Sequence, residues 1–75
     1  MQRYKDLGGD SGVVAFELGE QFIVIEFRDG SRYRYTAAST GAADIAAMRR
    51  LARAGEGLCT FISQHVRGRY ERKLD

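Results

Sequence analysis

Apolar and polar residues alternate between residues 13 and 36, in three runs separated by turn-forming residues. A period of two residues is typical of strands that bury one face, so the three runs predict an antiparallel meander. In the first run the alternation assigns Val14 and Phe16 to the apolar face. The dipeptide Gly19-Glu20 then predicts a two-residue hairpin turn, with glycine at its first central position.

The second turn decides which face of the third run is buried. A two-residue loop would direct the arginines of that run into the core, where unpaired charges are costly. A three-residue loop over residues 29–31, with Gly30 in the left-handed conformation, directs them outward instead. This loop pairs Ile25 with Tyr35 and sends Tyr33 and Tyr35 to the apolar face. We therefore expect both tyrosines to be core residues.

A helical period replaces the alternation after the third run. Ser39 or Thr40 can cap a helix that runs to about Ala54, and Gly55 ends it. A second short helix is predicted over residues 58–66. The first helix carries an apolar stripe that can cover the sheet: Ile45, Met48, Leu51 and Ala52. The predicted fold class is α+β: a three-stranded antiparallel β-meander followed by two helices packed on one sheet face.

The length of 75 residues is room for one domain. Residues 1–10 contain glycines and no period, so we expect a loosely ordered lead-in there and a single domain over residues 11–75. The one cysteine, Cys59, excludes an intramolecular disulfide and favours a cytoplasmic location. No run approaches the roughly 18 apolar residues of a membrane span, so we expect no membrane partner.

The formal net charge is only +2, but the charge is unevenly distributed. Residues 1–48 hold five Lys or Arg and seven Asp or Glu, whereas residues 49–75 hold seven and three. The sequence pI of about 9.0 lies at the edge of the range typical of nucleic-acid-binding domains. Charge of this size bears on association rather than on fold.

Two short motifs lie on either side of the predicted first helix: Tyr-x-Tyr at residues 33–35 and HVRGRY at residues 65–70. With the strand IVIEF and the DG turn, this order resembles the KTSC domain, a module found at the C-terminus of some lysyl-tRNA synthetases and as a free-standing small protein in bacteria and their phages. The resemblance covers roughly Ser11 to Tyr70. The chain departs from it in having no proline and in having Ser63 where an asparagine is expected. The resemblance implies an RNA-binding role.

The outward cations are the candidate nucleic-acid contacts, because Lys and Arg neutralise phosphates. The alternative is a solvated rim, since several carboxylates lie among them. Tyr33 and Tyr35 could stack on bases, but the register argument favours core packing for them. The candidate contacts are Arg28, Arg32, Arg34, Arg67, Arg69 and Lys73.

Protein association is the alternative function. The predicted register leaves an apolar strip on the sheet face opposite the helices, formed by Val13, Ala15, Phe22 and Val24. Such a strip favours pairing with another protein or with a second copy of the chain.

Catalysis is not expected from this sequence. Cys59 and His65 are its only cysteine and histidine, and zinc sites need three or four ligands. Residues six apart do not share a helix face well, so a Cys-His dyad is also disfavoured. We expect no enzyme activity, no metal and no cofactor.

Overall fold

The structure is a computed structural model that describes residues 1–9 and 11–74. It confirms an α+β fold with an antiparallel sheet, but the sheet has five strands in the order β1-β2-β3-β4-β5. The prediction of a three-stranded meander is therefore wrong. It omitted the two outer strands, which have two residues each and are too short to show an alternating pattern in the sequence. The strands are β1 (Gln2–Arg3), β2 (Val13–Leu18), β3 (Phe22–Phe27), β4 (Arg32–Thr36) and β5 (Arg72–Lys73).

The helices follow β4 and precede β5. They are α1 (Ala37–Thr40), α2 (Ala42–Ala54) and α3 (Leu58–Phe61), and α3 continues directly as a π-helix (Ile62–Val66). The single first helix of the prediction is thus divided. Thr36 caps α1 in a capping box with Ser39, and α2 begins after Gly41. Gly55 ends α2 in the left-handed conformation, as predicted.

A β-bulge changes the first strand. The pairing of β2 with β3 shifts between Val13 and Ala15, so Val13 is buried in the core and Val14 is 36% exposed. The predicted alternation is correct for Phe16, which is also buried. It is wrong for Val14. The bulge adds one residue to β2, so the residues before it lie on the sheet face opposite to the one that the alternation predicts.

The turn between β2 and β3 contains Glu20-Gln21 rather than the predicted Gly19-Glu20. The Gly19 amide donates a hydrogen bond of 3.0 Å to the Phe22 carbonyl, which makes these two residues the closing pair. A Cβ on Gly19 would lie 1.8 Å from the Phe22 ring. Glycine at position 19 therefore allows the Phe22 ring to approach closely. The two turn residues are Glu20 and Gln21.

The loop between β3 and β4 has three residues, and Gly30 has a φ of 91°, as predicted. The loop comprises residues 28–30 instead of 29–31, because Phe27 donates its amide to the Ser31 carbonyl. As a result Ile23, not Ile25, lies opposite Tyr35. This shift changes each partner by two positions, so every side chain stays on its predicted face.

One face of the sheet forms the core with the helices. Ile23, Ile25 and Tyr35 pack there against the buried stripe of α2, of which Ile45, Met48 and Ala52 are fully buried and Leu51 is partly buried. No helix covers the opposite face within residues 1–9 and 11–74.

The N-terminal residues contribute to this core. We expected a loosely ordered lead-in over residues 1–10, of which Asp10 lies outside the described residues. In the structure Gln2–Arg3 pair with β2, and Tyr4 is only 3% exposed. The Tyr4 hydroxyl accepts a hydrogen bond of 3.2 Å from the Leu58 amide. Burial raises the pKa of this phenol.

The described helices are short relative to a bilayer. None of them, within residues 1–9 and 11–74, is long and apolar enough to cross a membrane.

Candidate nucleic-acid interface

An aromatic groove of about 510 Å³ opens between the β3–β4 hairpin and the end of the π-helix. Its floor includes Tyr35 and Ile62, both buried. The residues that line it, which define the aromatic groove below, are Phe27, Asp29, Ser31, Tyr33, Tyr35, Ile62, Arg67, Gly68 and Tyr70.

Three aromatic rings, Phe27, Tyr33 and Tyr70, form the wall of the groove above the Tyr35 ring at its floor. The Tyr70 ring lies 4.7 Å from Tyr33 and 6.2 Å from Tyr35 between centroids, in edge-to-face geometry. Phe27 contacts Tyr33 in the same way at 5.7 Å. Such pairs stabilise each other beyond simple burial. The Tyr-x-Tyr motif and the HVRGRY motif, which are far apart in sequence, therefore meet in one cluster.

A tight turn brings Tyr70 back to the sheet. The Arg69 amide donates to the Val66 carbonyl at 2.9 Å, Arg67 has φ −53° and ψ 124°, and Gly68 has φ 80°. These angles are typical of a type II turn, whose third position favours glycine. The next residue after Tyr70, Glu71, donates its amide to the Arg34 carbonyl at 2.6 Å. The turn and this bond fix Tyr70 over β4.

Two cations accompany the aromatic groove. Arg67 lines it directly and is exposed. Lys73 lies opposite Tyr33 in the β4–β5 pairing, and its Nζ is 5.8 Å from the centre of the Tyr33 ring. Neither forms an ion pair with any residue in the described part of the chain. Both are therefore able to meet an anionic ligand.

Burial changes the chemistry of the groove floor. Tyr35 is 3% exposed, and its pKa is raised from 10.0 to about 12. Desolvation is the main cause, and the neighbouring phenols of Tyr33 and Tyr70 add to it. The shift therefore keeps the hydroxyl at the floor neutral even in alkaline solution, where it can still donate or accept a hydrogen bond.

The open face of the sheet presents a different kind of surface. The guanidinium of Arg34 stacks on the Phe22 ring at 4.1 Å and forms an ion pair of 2.9 Å with Glu71. Arg32 projects from the same face, in register with Glu26. The outward direction predicted for both arginines is confirmed, but Arg34 is already engaged by neighbours within the chain.

The apolar strip predicted on the open face is smaller than expected. Val13 belongs to the core on the other side of the sheet, so its assignment to the strip is wrong. Val24 is on the open face but only 7% exposed, and Phe22 lies under Arg34. Ala15 and Phe22 are partly buried, and Val14, which the bulge displaces, is exposed.

The guanidinium groups of the two remaining candidate cations already contact other residues of the chain. The Arg28 guanidinium donates to the Ser11 carbonyl at 2.7 Å. Arg69 is 3.6 Å from the Asp44 carboxylate, and its carbonyl accepts the Thr40 hydroxyl at 2.9 Å. The structure therefore divides the six candidates: Arg67 and Lys73 lie at the aromatic groove, Arg32 and Arg34 on the open face, and Arg28 and Arg69 at separate loop contacts.

Six of the groove residues were not among the predicted site residues: Phe27, Asp29, Ser31, Ile62, Gly68 and Tyr70. Tyr70 belongs to the HVRGRY motif, so that motif was the available signal for it. Asp29 was interpreted as a turn residue and as one of the carboxylates that offset the cationic surface. Tyr33 is partly buried, which places it between the predicted alternatives of core residue and stacking platform.

Cys59 and His65 occupy separate environments. Cys59 is partly buried beside the core, and His65 is exposed with its ring 4.6 Å from that of Phe61. Across residues 1–9 and 11–74 no group of three His, Cys, Asp or Glu side chains has the arrangement of a metal site.

Comparisons with known proteins give no relative. No family model, curated protein or solved structure matches the chain.

Proposed function

We propose that this chain is a non-catalytic module that binds single-stranded RNA through the aromatic groove, and that it is a member of the KTSC family. Bases stack against the aromatic wall, and Arg67 and Lys73 contact the phosphates. The observation that carries the proposal is the meeting of the two motifs in one groove with two cations beside it.

The shape of the groove favours unpaired bases. A volume of about 510 Å³ is in the range of sites for a single small ligand, so it admits a base and not a duplex. Aromatic side chains bind unstacked bases face to face, and each such contact contributes about 1–3 kcal/mol. Tyr70 is 38% exposed, so its ring is accessible for this contact.

The open face is a weaker candidate for RNA contact. Arg34 would have to leave both Phe22 and Glu71 before it could bind a phosphate. Glu17 and Glu26 lie on the same face, as the strand pairing requires, and their carboxylates repel phosphates. The groove therefore receives the RNA in our proposal, and the open face does not.

The test is fluorescence anisotropy with a labelled single-stranded RNA of about ten nucleotides, measured over a range of salt concentrations. Affinity should fall with salt, with a log–log slope of about −0.7 for each neutralised phosphate. Replacing Arg67 and Lys73 by glutamine should weaken binding and flatten the slope by about 1.4. Tyr70→Ala should weaken binding without this change in slope.

The matched control replaces Arg50 and Arg53 by glutamine. These exposed arginines of α2 carry the same charge as the groove pair and do not line the aromatic groove. An equal loss of affinity in both double variants would indicate diffuse attraction and would contradict a site. No binding at low salt would overturn the proposal, and a dimer seen by light scattering in the same samples would then favour the protein-association alternative.

A further inference from the structure

A carboxylate forms part of the rim of the aromatic groove. Asp29 lines the groove together with the aromatic wall and Arg67. A negative charge opposes phosphate binding, so its position requires a different explanation in a site for RNA. Carboxylates recognise nucleobases by accepting hydrogen bonds from their N–H groups.

The Asp29 side chain is held in place by its own loop. Its Oδ1 accepts hydrogen bonds from the Ser31 amide at 2.9 Å and from the Ser31 hydroxyl at 2.6 Å. Both of these side-chain hydrogen bonds end on Oδ1, and the charge of Lys73 acts on the same carboxyl. The bonds from Ser31 lower the pKa of this carboxyl, so it is ionised and can only accept. The rim thus offers a fixed acceptor with a free oxygen.

We propose that the aromatic groove selects guanine, with the Asp29 carboxylate accepting hydrogen bonds from the base and Arg67 contacting the phosphate. This inference rests on the proposed function and names the base that the groove reads. Guanine has two adjacent donors on its pairing edge, N1–H and the N2 amino group, and the free Oδ2 of Asp29 has two lone pairs with which to accept them.

The other bases lack this pair of donors. Adenine and cytosine each place a ring-nitrogen acceptor beside a single amino group, and uracil places carbonyl oxygens on both sides of one N–H. Each would bring a lone pair against the ionised Asp29. Hydrogen bonds to charged groups are stronger than neutral ones, so loss of one costs at least about tenfold in affinity.

The first test uses the unmodified protein. Titration with the four ribonucleoside monophosphates, followed by amide shifts of residues 27–35 and 67–70 in NMR spectra, should show GMP binding at least about tenfold more tightly than AMP, CMP or UMP. Inosine monophosphate, which lacks the N2 amino group, should bind more weakly than GMP. Oligouridines with one central guanosine should bind more tightly than those with a central adenosine.

The second test is Asp29→Asn. Asparagine keeps an oxygen that can accept from Ser31, but it replaces the free oxygen by an NH₂ donor. The variant should lose its preference for GMP and gain affinity for xanthosine monophosphate, whose C2 carbonyl accepts that donor. If Asp29 only stabilised the loop, this substitution would not change which base the protein prefers. Glu56→Gln, at an exposed carboxylate between α2 and α3, is the matched control and should change neither affinity.

The outcomes separate the two proposals. Binding of all the oligonucleotides with equal affinity would overturn guanine selection and leave RNA binding standing. A guanine preference that persists in Asp29→Asn would also overturn the role of Asp29. Selective binding of GMP without any binding of RNA would support the guanine site and reject the proposed function. Absence of both would reject both.

Discussion

The two faces of strand β4 differ in what their side chains do. On one face Tyr33 and Tyr35 contact Tyr70 and form the aromatic groove. On the other face Arg34 stacks on Phe22 and pairs with Glu71. The face that the sequence predicts to be ordinary core therefore contains an accessible cavity. On the face that the sequence predicts to bind nucleic acid, the Arg34 side chain already contacts other residues of the chain.

The same contrast holds between two arginines. Arg34 and Arg67 have equal charge, but the first has an aromatic ring and a carboxylate as neighbours, and the second lines a cavity. A count of cations treats them alike. Availability for a ligand depends on the contacts that each side chain already makes, because an engaged guanidinium must first give up those contacts.

The largest expected effect is a loss of stability caused by a substitution on the buried face of β4. Tyr35→Ala removes an aromatic ring from the core and should lower the free energy of unfolding by about 3–5 kcal/mol, measured by urea denaturation. Tyr33→Ala should cost less, because this side chain is only partly buried. Near-normal stability of the Tyr35 variant would mean that the groove floor is not part of the core.

Alkaline pH should reveal the same burial. The folded-state pKa of Tyr35 is about 12, above the ordinary value of 10.0. Between these values the unfolded chain loses a proton that the folded chain keeps, so the contribution of Tyr35 to stability should be constant below about pH 10 and be lost as pH rises toward 12.

The control for this pH dependence is Tyr35→Phe, which keeps the ring and removes the titrating group. Stability of both proteins should be measured by urea denaturation at several values of pH, because burial also raises the pKa of Tyr4, whose contribution remains in the variant. The decline should be shallower in the variant. An identical decline in both proteins would contradict the raised pKa of Tyr35.

On the open side of the sheet, Gly19→Ala should have a smaller effect. The added Cβ would meet the Phe22 ring at 1.8 Å, so the ring must move away from its place below Arg34. Overpacking of this kind costs about 1–3 kcal/mol, and we expect the lower part of that range because the ring is partly exposed. RNA affinity should be unchanged, since the groove is on the other face. A loss of RNA affinity in this variant would mean that a change on the open face also alters the aromatic groove.

Much of this arrangement follows from local pattern. The alternation correctly gave the faces of Ile25, Tyr33 and Tyr35, because a pairing shift of two positions does not reverse a strand. Gly30 and Gly55 have the left-handed conformations expected from their places in a loop and at a helix end. These features depend on neighbours in sequence, and the sequence reports such neighbours directly.

The groove depends instead on contacts between distant residues. Tyr70 reaches Tyr33 only because a turn at Gly68 reverses the chain and β5 pairs with β4. A strand of two residues has no period to detect. The bulge beside Val14 is a similar case, since one extra residue leaves no mark on the alternation but changes which valine is buried.

The smallest expected effect tests the engagement of Arg34 itself. A double-mutant cycle with Arg34→Gln and Phe22→Leu should give a coupling of about 0.5–1 kcal/mol, the magnitude of an exposed cation–π contact. A second cycle with Glu71→Gln should give about 0.2–1 kcal/mol at low salt and less at high salt, because ions screen an exposed pair. Free energies of unfolding from urea denaturation supply both cycles. Couplings near zero in both would mean that Arg34 is available to a ligand. The contrast between the two faces of β4 would then fail, and the open face would have to be tested as an RNA surface through Arg32 and Arg34 together.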